Sequence, residues 1–282
     1  MTLNPLSPLL YEPLVRMALL EDLGRAGDIT TDAIVPAEQG ASLGLRARQH
    51  GVIAGLEVAR CAFQLVSPAV RMEIERPDGS VVAPGDTIAT ISGPARALLT
   101  GERTALNFLC RLSGVATATA SLVVAVKGTR AQIVCTRKTT PGLRALEKYA
   151  VRAGGGANHR FGLDDAVLIK DNHIAVAGGI GPAIARAKAH VGHLVKIEVE
   201  VDTLAQLEEA LALGIDAVLL DNMTIEDLRQ AVAMVGGKAI TEASGRVTAA
   251  TAPAIAATGV DLISAGWITH SSAALDIGLD HL

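Results

Sequence analysis

KIEVEVDTLAQLEEALALGIDAVLLDN, residues 196–222, is the stretch whose reading decides the fold. KIEVEV alternates charged with apolar residues, the period of a strand. LAQLEEALALG then places Leu204, Leu207 and Leu211 at helical spacing and closes on a glycine, and IDAVLLDN is a second apolar run of strand length. Strand, amphipathic helix, strand is a βαβ unit, which requires a parallel sheet with helices packed on it.

The same rhythm continues on both sides. IVCT (133–136) leads to a helix over LRALEKYAVRA, AVLI (166–169) to one over PAIARAKAH, and the 215–222 run to IEDLRQAVAMVGG, with Ile225, Leu228 and Val232 on one stripe. KAITEAS (238–244) leads to TAPAIAATG, and VDLISAG (260–266) follows. Polar or small residues mark the ends of successive strands, Glu200, Asp221, Ser244 and then Gly266, at intervals of 21, 23 and 22 residues. A constant period with chemistry at one place in each repeat favours an α/β barrel. Only six strands follow residue 130, so an incomplete barrel of six or seven strands is expected, with an open doubly wound sheet as the alternative.

The N-terminal part reads differently. Residues 9–23 show helical apolar spacing stopped at Gly24, and GDITTDAIVP (27–36) reads as a polar, turn-rich stretch. Residues 41–93 form short β-like runs broken by Pro77-Asp78-Gly79 and Pro84-Gly85-Asp86, which suits antiparallel strands. Residues 95–127 read as two helices meeting near Ser113-Gly114. The expected organisation is an α+β, sandwich-like domain over 1–112, an α/β barrel over 113–270, and a C-terminal segment, 271–282, returning to the first domain.

Composition limits the function classes. Half of the 282 residues are hydrophobic, which supplies ample core and excludes a disordered chain. Aromatics are 2% and the formal net charge is −4, so neither base stacking nor a general basic surface supports nucleic-acid binding. Cys61, Cys110 and Cys135 are odd in number, widely spaced and in no C-x-x-C pair, which gives neither a disulfide framework nor a zinc signature. The N-terminus lacks a signal-peptide pattern, and no apolar run approaches the ~20 residues of a membrane helix. The expectation is a soluble, cytoplasmic protein without membrane or nucleic-acid partners.

Against that acidic balance, residues 136–173, TRKTTPGLRALEKYAVRAGGGANHRFGLDDAVLIKDNH, carry seven Lys or Arg between Arg137 and Lys170, plus His159, against three acids. Arg137 and Lys138 follow a strand that ends at Thr136, His159 and Arg160 follow Gly154-Gly155-Gly156, and Lys170 ends another strand. Bases at element ends suit a pocket for a small, multiply charged anion, whereas a solvated basic face is the usual fate of a charge run. Lys196, Glu198 and Glu200 share one face of their strand, which suits a polar mouth or pairing among themselves, since parallel strands are normally buried on both faces. Glu200 and Asp221, on neighbouring strand ends, could hold Mg²⁺. No Walker A loop or GxGxxG is present. Glycine-led helix starts, at 154–156, 178–181, Ser244-Gly245 and Gly266, are the phosphate-binding candidates.

ERTALNFLCRLSGVAT, the 136–173 block, KIEVEVD, AVLLDNM, EASG and GVDLISAG together resemble the quinolinate phosphoribosyltransferase family over nearly the whole chain. The resemblance implies the two-domain fold above, head-to-tail dimers, and a reaction of quinolinate with phosphoribosyl pyrophosphate. The products are nicotinate mononucleotide, pyrophosphate and CO₂, made for NAD biosynthesis. It implies that Arg137, His159, Arg160 and Lys170 bind quinolinate and that Arg103 reaches in from the partner subunit. Lys138, Glu200 and Asp221 then surround phosphoribosyl pyrophosphate and Mg²⁺, and Ser244, Gly245 and Gly266 cradle the 5′-phosphate. Lys138, Lys170, Glu200 and Asp221 are the implied catalytic set. Two positions depart from the family pattern, Ala153 where Cys is frequent and Arg246 where Asn is frequent. The rival readings are a related phosphoribosyltransferase with another acceptor, a barrel aldolase using Lys170 as a Schiff-base lysine, and a non-catalytic metabolite-binding module.

Overall fold

The computed structural model describes residues 3–281. Two compact units emerge: one comprises the chain up to Ala120, Thr140–Gly155 and the chain from Ser271, and the other Ser121–Thr139 and Gly156–His270.

The first unit begins with a 3₁₀ turn (Pro8–Leu10), α1 (Glu12–Leu23) and α2 (Ile29–Ile34). α1 stops at Gly24, as the pattern indicates. α2 corrects the turn-rich reading of GDITTDAIVP. Asp28 caps it by accepting from the Thr31 amide at 3.0 Å, and Arg96 clamps its end through Asp32 and the Val35 carbonyl. Then come β1 (Gly40–Ala47), β2 (Gly51–Val52), α3 (Leu56–Val66), β3 (Arg71–Ile74), β4 (Val81–Val82) and β5 (Thr87–Pro94). α3 is a helix that the turn signals around it hid. It buries Leu56, Val58, Ala59, Ala62 and Phe63 on one face.

α4 (Ala95–Ala125) is one continuous helix, not two. Ser113-Gly114 does not break it. A Cβ on Gly114 would overlap the Ala273 carbonyl oxygen, so this glycine permits close approach of the C-terminal segment. Ser113 points its hydroxyl to the Ala54 main chain and is fully buried. By length and composition α4 is the one helix among the described residues that could cross a membrane, at a mean hydropathy of 1.6 over its best window. The expectation that no such stretch exists overlooked it because glycine, serine, threonine and Arg111 interrupt the apolar residues. Leu98, Leu109, Leu112, Val115 and Leu122 lie in the core, each worth about 1.5–3 kcal/mol of burial.

α5 (Arg144–Ala153) belongs to the same unit. Its fully buried Glu147 pairs with Arg111 of α4 at 2.8 Å and accepts from the amide and hydroxyl of Thr140. Arg111 also donates to the Ser272 carbonyl, which ties the chain's last segment to α4. That segment ends in the strand β12, Ile277–His281, which pairs antiparallel with β1 and gives the four-stranded order β12-β1-β5-β3.

The second unit is a parallel sheet of six strands, β6 (Gln132–Val134), β7 (Val167–Ile169), β8 (Ile197–Val201), β9 (Ala217–Asp221), β10 (Ile240–Ser244) and β11 (Leu262–Ser264). The crossovers are α6 (Asp171–Ala177) and α7 (Ile180–His190), α8 (Leu204–Ala212), α9 (Ile225–Val235) and α10 (Ala252–Ala256), with the short α11 (Trp267–His270) after β11. The order is β6-β11-β10-β9-β8-β7. Among the described residues β6 and β7 do not pair with each other, and only a Val134–Ala157 bridge extends past β6. The barrel is therefore incomplete, with its gap between the first and second strands. Val199, Val218, Leu220 and Ile263 are fully buried, and α8 and α9 bury Leu207 and Leu228. Thr203 and Thr224 cap those helices through the amides of Gln206 and Asp227.

Alanine in place of glycine within an unencumbered helix stabilises it by about 1 kcal/mol. At Gly114 the sign reverses, because the methyl group must displace main chain, at a cost of about 1–3 kcal/mol or more. A Gly114→Ala variant is expected to melt below the unmodified protein by calorimetry; a higher melting temperature refutes the close-approach role.

Candidate active site

Side chains alternate along each strand, and the inward ones of the parallel sheet meet in a cavity of about 430 Å³ at the strands' C-terminal ends. Pairs two residues apart line it: Leu168 on β7 with Lys170 just after it, Leu219 and Asp221 on β9, Glu242 and Ser244 on β10. Glu200 of β8 and Ser264 of β11 join them. Thr136, Arg137 and Lys138, on the loop after β6, and His159 and Arg160, after the glycine run, complete the wall.

The loop after β6 is fixed by its own main chain. Thr136 Oγ1 accepts from the Lys138 amide at 3.0 Å, and the Lys138 carbonyl accepts from Thr269 Oγ1 at 2.7 Å. Gly266 lies under the Lys138 stem, where a Cβ would come within 2.9 Å of Cδ. Gly245, at φ +105°, leaves room for Asn222, which a Cβ there would strike. Neither glycine lines the cavity, though each shapes a loop beside it. By register Asp221 pairs with Ser244 and Ser244 with Ser264, so Ser264, and not Gly266, holds the strand-end level in β11. Arg103 is exposed on α4 and is not among the lining residues.

Two guanidinium groups dominate the electrostatics. Arg160 is held by its Nη1, which donates to the Ala166 carbonyl at 3.0 Å. Burial first, and then the neighbouring Arg137, push its pKa below the usual arginine value. Nε of both Arg137 and Arg160 is buried without a hydrogen-bond partner. Adjacent, half-buried cations whose buried Nε donors are unused create a demand for an anionic acceptor, since an unmet buried donor costs about 1–3 kcal/mol. Lys170 Nζ pairs with Glu200 Oε2, and Asp221 accepts from Asn222 Nδ2 at 2.6 Å.

His159 does not supply the positive charge expected of it. An amide N–H can only donate, and the Arg160 amide donates to Nδ1 at 2.7 Å. The ring proton therefore sits on Nε2, which donates to Glu198 Oε2 at 2.8 Å. The imidazole is neutral, and both nitrogens have protein partners. The charged face of β8 also divides in two. Lys196 is exposed at the strand's start and pairs with Asp216 at 2.7 Å, while Glu198 and Glu200 lie further along towards the cavity. Glu242 and Ser264 were not singled out in the sequence. The alternation that placed Glu198 and Glu200 on one face places Glu242 beside Ser244 in KAITEAS, so the signal was present.

Glu200 and Asp221 offer hard oxygen donors on neighbouring strand ends, a set that suits Mg²⁺, which takes few protein carboxylates and keeps water. His159, Glu198 and Glu242 also cluster, with one ligand atom from each within 4.8 Å of the others. That trio does not suit a metal, because Nε2 carries the ring proton and a ligating nitrogen must be bare.

Residues 28–113 match the N-terminal domain of quinolinate phosphoribosyl transferase, and residues 115–280 match its C-terminal domain. The chain is 46% identical over 261 residues to a probable nicotinate-nucleotide pyrophosphorylase (carboxylating) of Bacillus subtilis (strain 168), covering 93% of this chain and 90% of the relative. It is 45% identical to the nicotinate-nucleotide pyrophosphorylase (carboxylating) of Mycobacterium leprae, over 94% of this chain and 95% of that protein. The crystal structure of NadC from Streptococcus pyogenes superimposes with a TM-score of 0.95 at 42% identity, covering 98% of both chains. The chain belongs to the quinolinate phosphoribosyltransferase family.

Proposed function

We infer that this enzyme transfers the phosphoribosyl group of phosphoribosyl pyrophosphate to quinolinate with decarboxylation, yielding nicotinate mononucleotide, pyrophosphate and CO₂ for NAD biosynthesis. The carrying observation is the pair of adjacent guanidinium groups whose buried Nε donors lack partners. A planar dicarboxylate satisfies such a pair, because each carboxylate accepts a fork of N–H donors. Thr136, Arg137, Arg160 and Lys170 bind quinolinate in this reading, and His159 contributes by holding Arg160. Lys138, Glu200 and Asp221 face the ribose and pyrophosphate, and Ser244, with the turns at Gly245 and Gly266, receives the 5′-phosphate.

As pyrophosphate leaves, positive charge develops on the ribose, and the fixed carboxylates of Glu200 and Asp221 stabilise it. The pyridine nitrogen forms the new bond to the ribose carbon. The resulting pyridinium stabilises the carbanion left on the adjacent ring carbon when its carboxylate departs as CO₂, and that carbon then takes up a proton. Mg²⁺, held by Glu200 and Asp221, would neutralise charge on the pyrophosphate. The Lys170–Glu200 ion pair speaks against a Schiff-base aldolase, whose lysine must be available in its neutral form.

A homodimer with shared sites is part of this proposal. It has Arg103 serving the partner's cavity, and the exposure of Leu9, Met17 and Leu20, at 85%, 62% and 64%, fits a surface that a second copy covers. So is a cytoplasmic location, with Cys61, Cys110 and Cys135 as thiols.

Arg137→Gln is expected to weaken quinolinate binding about 10- to 100-fold, the worth of lost charge-assisted hydrogen bonds, while phosphoribosyl pyrophosphate binding changes little. Nicotinate, with one carboxylate fewer, should be a very poor acceptor in the unmodified enzyme. Calorimetry of both substrates and CO₂ release with each acceptor check this; equal losses for the two substrates, or efficient use of nicotinate, refute the dicarboxylate reading.

Activity should require a divalent cation, and Asp221→Ala should impair use of phosphoribosyl pyrophosphate more than quinolinate binding. Full turnover in excess chelator sinks the metal assignment. Mixing Arg103→Ala with Arg137→Ala protein should restore activity through hybrid dimers, and failure after demonstrated subunit exchange rejects shared sites.

A further inference from the structure

Among the described residues, the segment that leads from the edge of β6 into β7 has sheet pairing only at its ends. The Ala157 amide donates to the Ile133 carbonyl at 2.8 Å, and the Val167 amide, at the start of β7, donates to the Lys196 carbonyl at 2.9 Å. Between those ends, amides that the sheet does not pair need other acceptors. Asp165 supplies them. Its Oδ2 accepts from the Phe161 amide at 2.5 Å and its Oδ1 from the Gly162 amide at 2.9 Å. Bonds to an ionised carboxylate are roughly twice as strong as neutral ones, so one side chain braces the whole bend.

A further bond encloses these two. Arg160 Nη1 donates to the Ala166 carbonyl, so the guanidinium closes the loop of which its own residue is one end. The far end adjoins β7 and is fixed by the sheet. At the near end the Arg160 amide donates to His159 Nδ1, and the next two amides belong to Asp165. The Asp165 charge also reaches the guanidinium. Burial and then Arg137 lower the Arg160 pKa, and Asp165 acts against them. Without Asp165, residues 161–165 would have to be ordered whenever Arg160 met its anchor, which costs backbone entropy.

Resting on the dicarboxylate reading above, we propose that Asp165 is a positioning residue for Arg160. By holding the amides of Phe161 and Gly162 it keeps residues 160–166 folded, so that the guanidinium stands at its anchor beside Arg137 before the substrate arrives. Asp165 does not line the cavity and acts through Arg160. Its charge and its geometry have opposite effects on a dianion. A carboxylate near the guanidiniums repels quinolinate, so by charge alone its removal tightens binding. Loss of a preorganised arginine weakens binding instead, so the direction of the change separates the two.

In full-length enzyme, Asp165→Ala should weaken quinolinate binding about tenfold by calorimetry, with KM for phosphoribosyl pyrophosphate changed less than about twofold. Asp165→Asn, which keeps one oxygen acceptor and serves if the alanine variant does not fold, should lose roughly threefold. Asp164 carries the same charge one residue away and takes neither amide, so Asp164→Ala should bind quinolinate at least as tightly as the unmodified enzyme. In an Arg160→Lys background, Asp165→Ala should add less than about twofold, since the residue it places is gone. Unchanged or tighter quinolinate binding by Asp165→Ala, equal losses for both substrates, or a full tenfold further loss in the Arg160→Lys background overturns the proposal. A crystal structure of either Asp165 variant without substrate gives a readout independent of the reaction. Arg160 Nη1 parted from the Ala166 carbonyl supports the proposal; a guanidinium still in place overturns it. If the unmodified enzyme fails to release CO₂ from quinolinate, the dicarboxylate reading falls instead, while the crystal structure still decides whether Asp165 positions Arg160.

Discussion

Two guanidinium groups that face one cavity with buried, unused donors are the constraint around which this molecule is arranged. Like charges at close range in a partly desolvated site are costly in the empty protein, and that cost becomes affinity when a dianion arrives. Holding Arg137 and Arg160 together requires rigid backbone on both sides. Arg137 sits on a loop tied by Thr136 and Thr269, and Arg160 on a segment tied by Ala166 and His159. The gap between β6 and β7 is where both segments lie in the chain, so the missing pairing of the barrel leaves room for them.

The remaining charges follow from the parallel sheet. Inward positions near the C-terminal ends of β8, β9 and β10 would normally be apolar, and here Glu200, Asp221 and Glu242 occupy them. Each has a different means of being tolerated. Glu200 pairs with Lys170, Asp221 meets Asn222, and Glu242 is held towards its neutral form by burial and by Glu198. Burial and the charge of Glu198 thus set Glu242 apart from two acids that have polar partners.

The N-terminal unit shows a related economy of polar contacts. Glu147 is wholly buried, yet its partners Arg111 and Thr140 bring α4, α5 and the loop before α5 together, and the Arg111 bond to Ser272 adds the last segment. Removing one member of such a buried pair strands the other, which costs about 3–5 kcal/mol, so the network acts as a single unit. Arg246, where the family resemblance points to Asn, adopts φ +47° and is exposed. That left-handed conformation suits Asn better than Arg, and nothing in the structure explains the substitution.

By itself the sequence determined the βαβ rhythm, six parallel strands and the cluster of bases at element ends. These depend on periodicity and turn chemistry, which are local. Where local signals conflicted, only tertiary contact decided. Ser113-Gly114 reads as a break, yet the Ala273 main chain needs the space a side chain would fill, and α4 runs through. LEVARCAFQLV is a helix because the core buries its apolar face, although turn formers surround it. The charge of His159 was equally out of reach. A histidine following a glycine run among arginines reads as a cation, and its neutrality comes from an amide donating to one ring nitrogen while a strand distant in sequence offers a carboxylate to the other. Protonation is settled by partners that only folding brings within hydrogen-bonding distance.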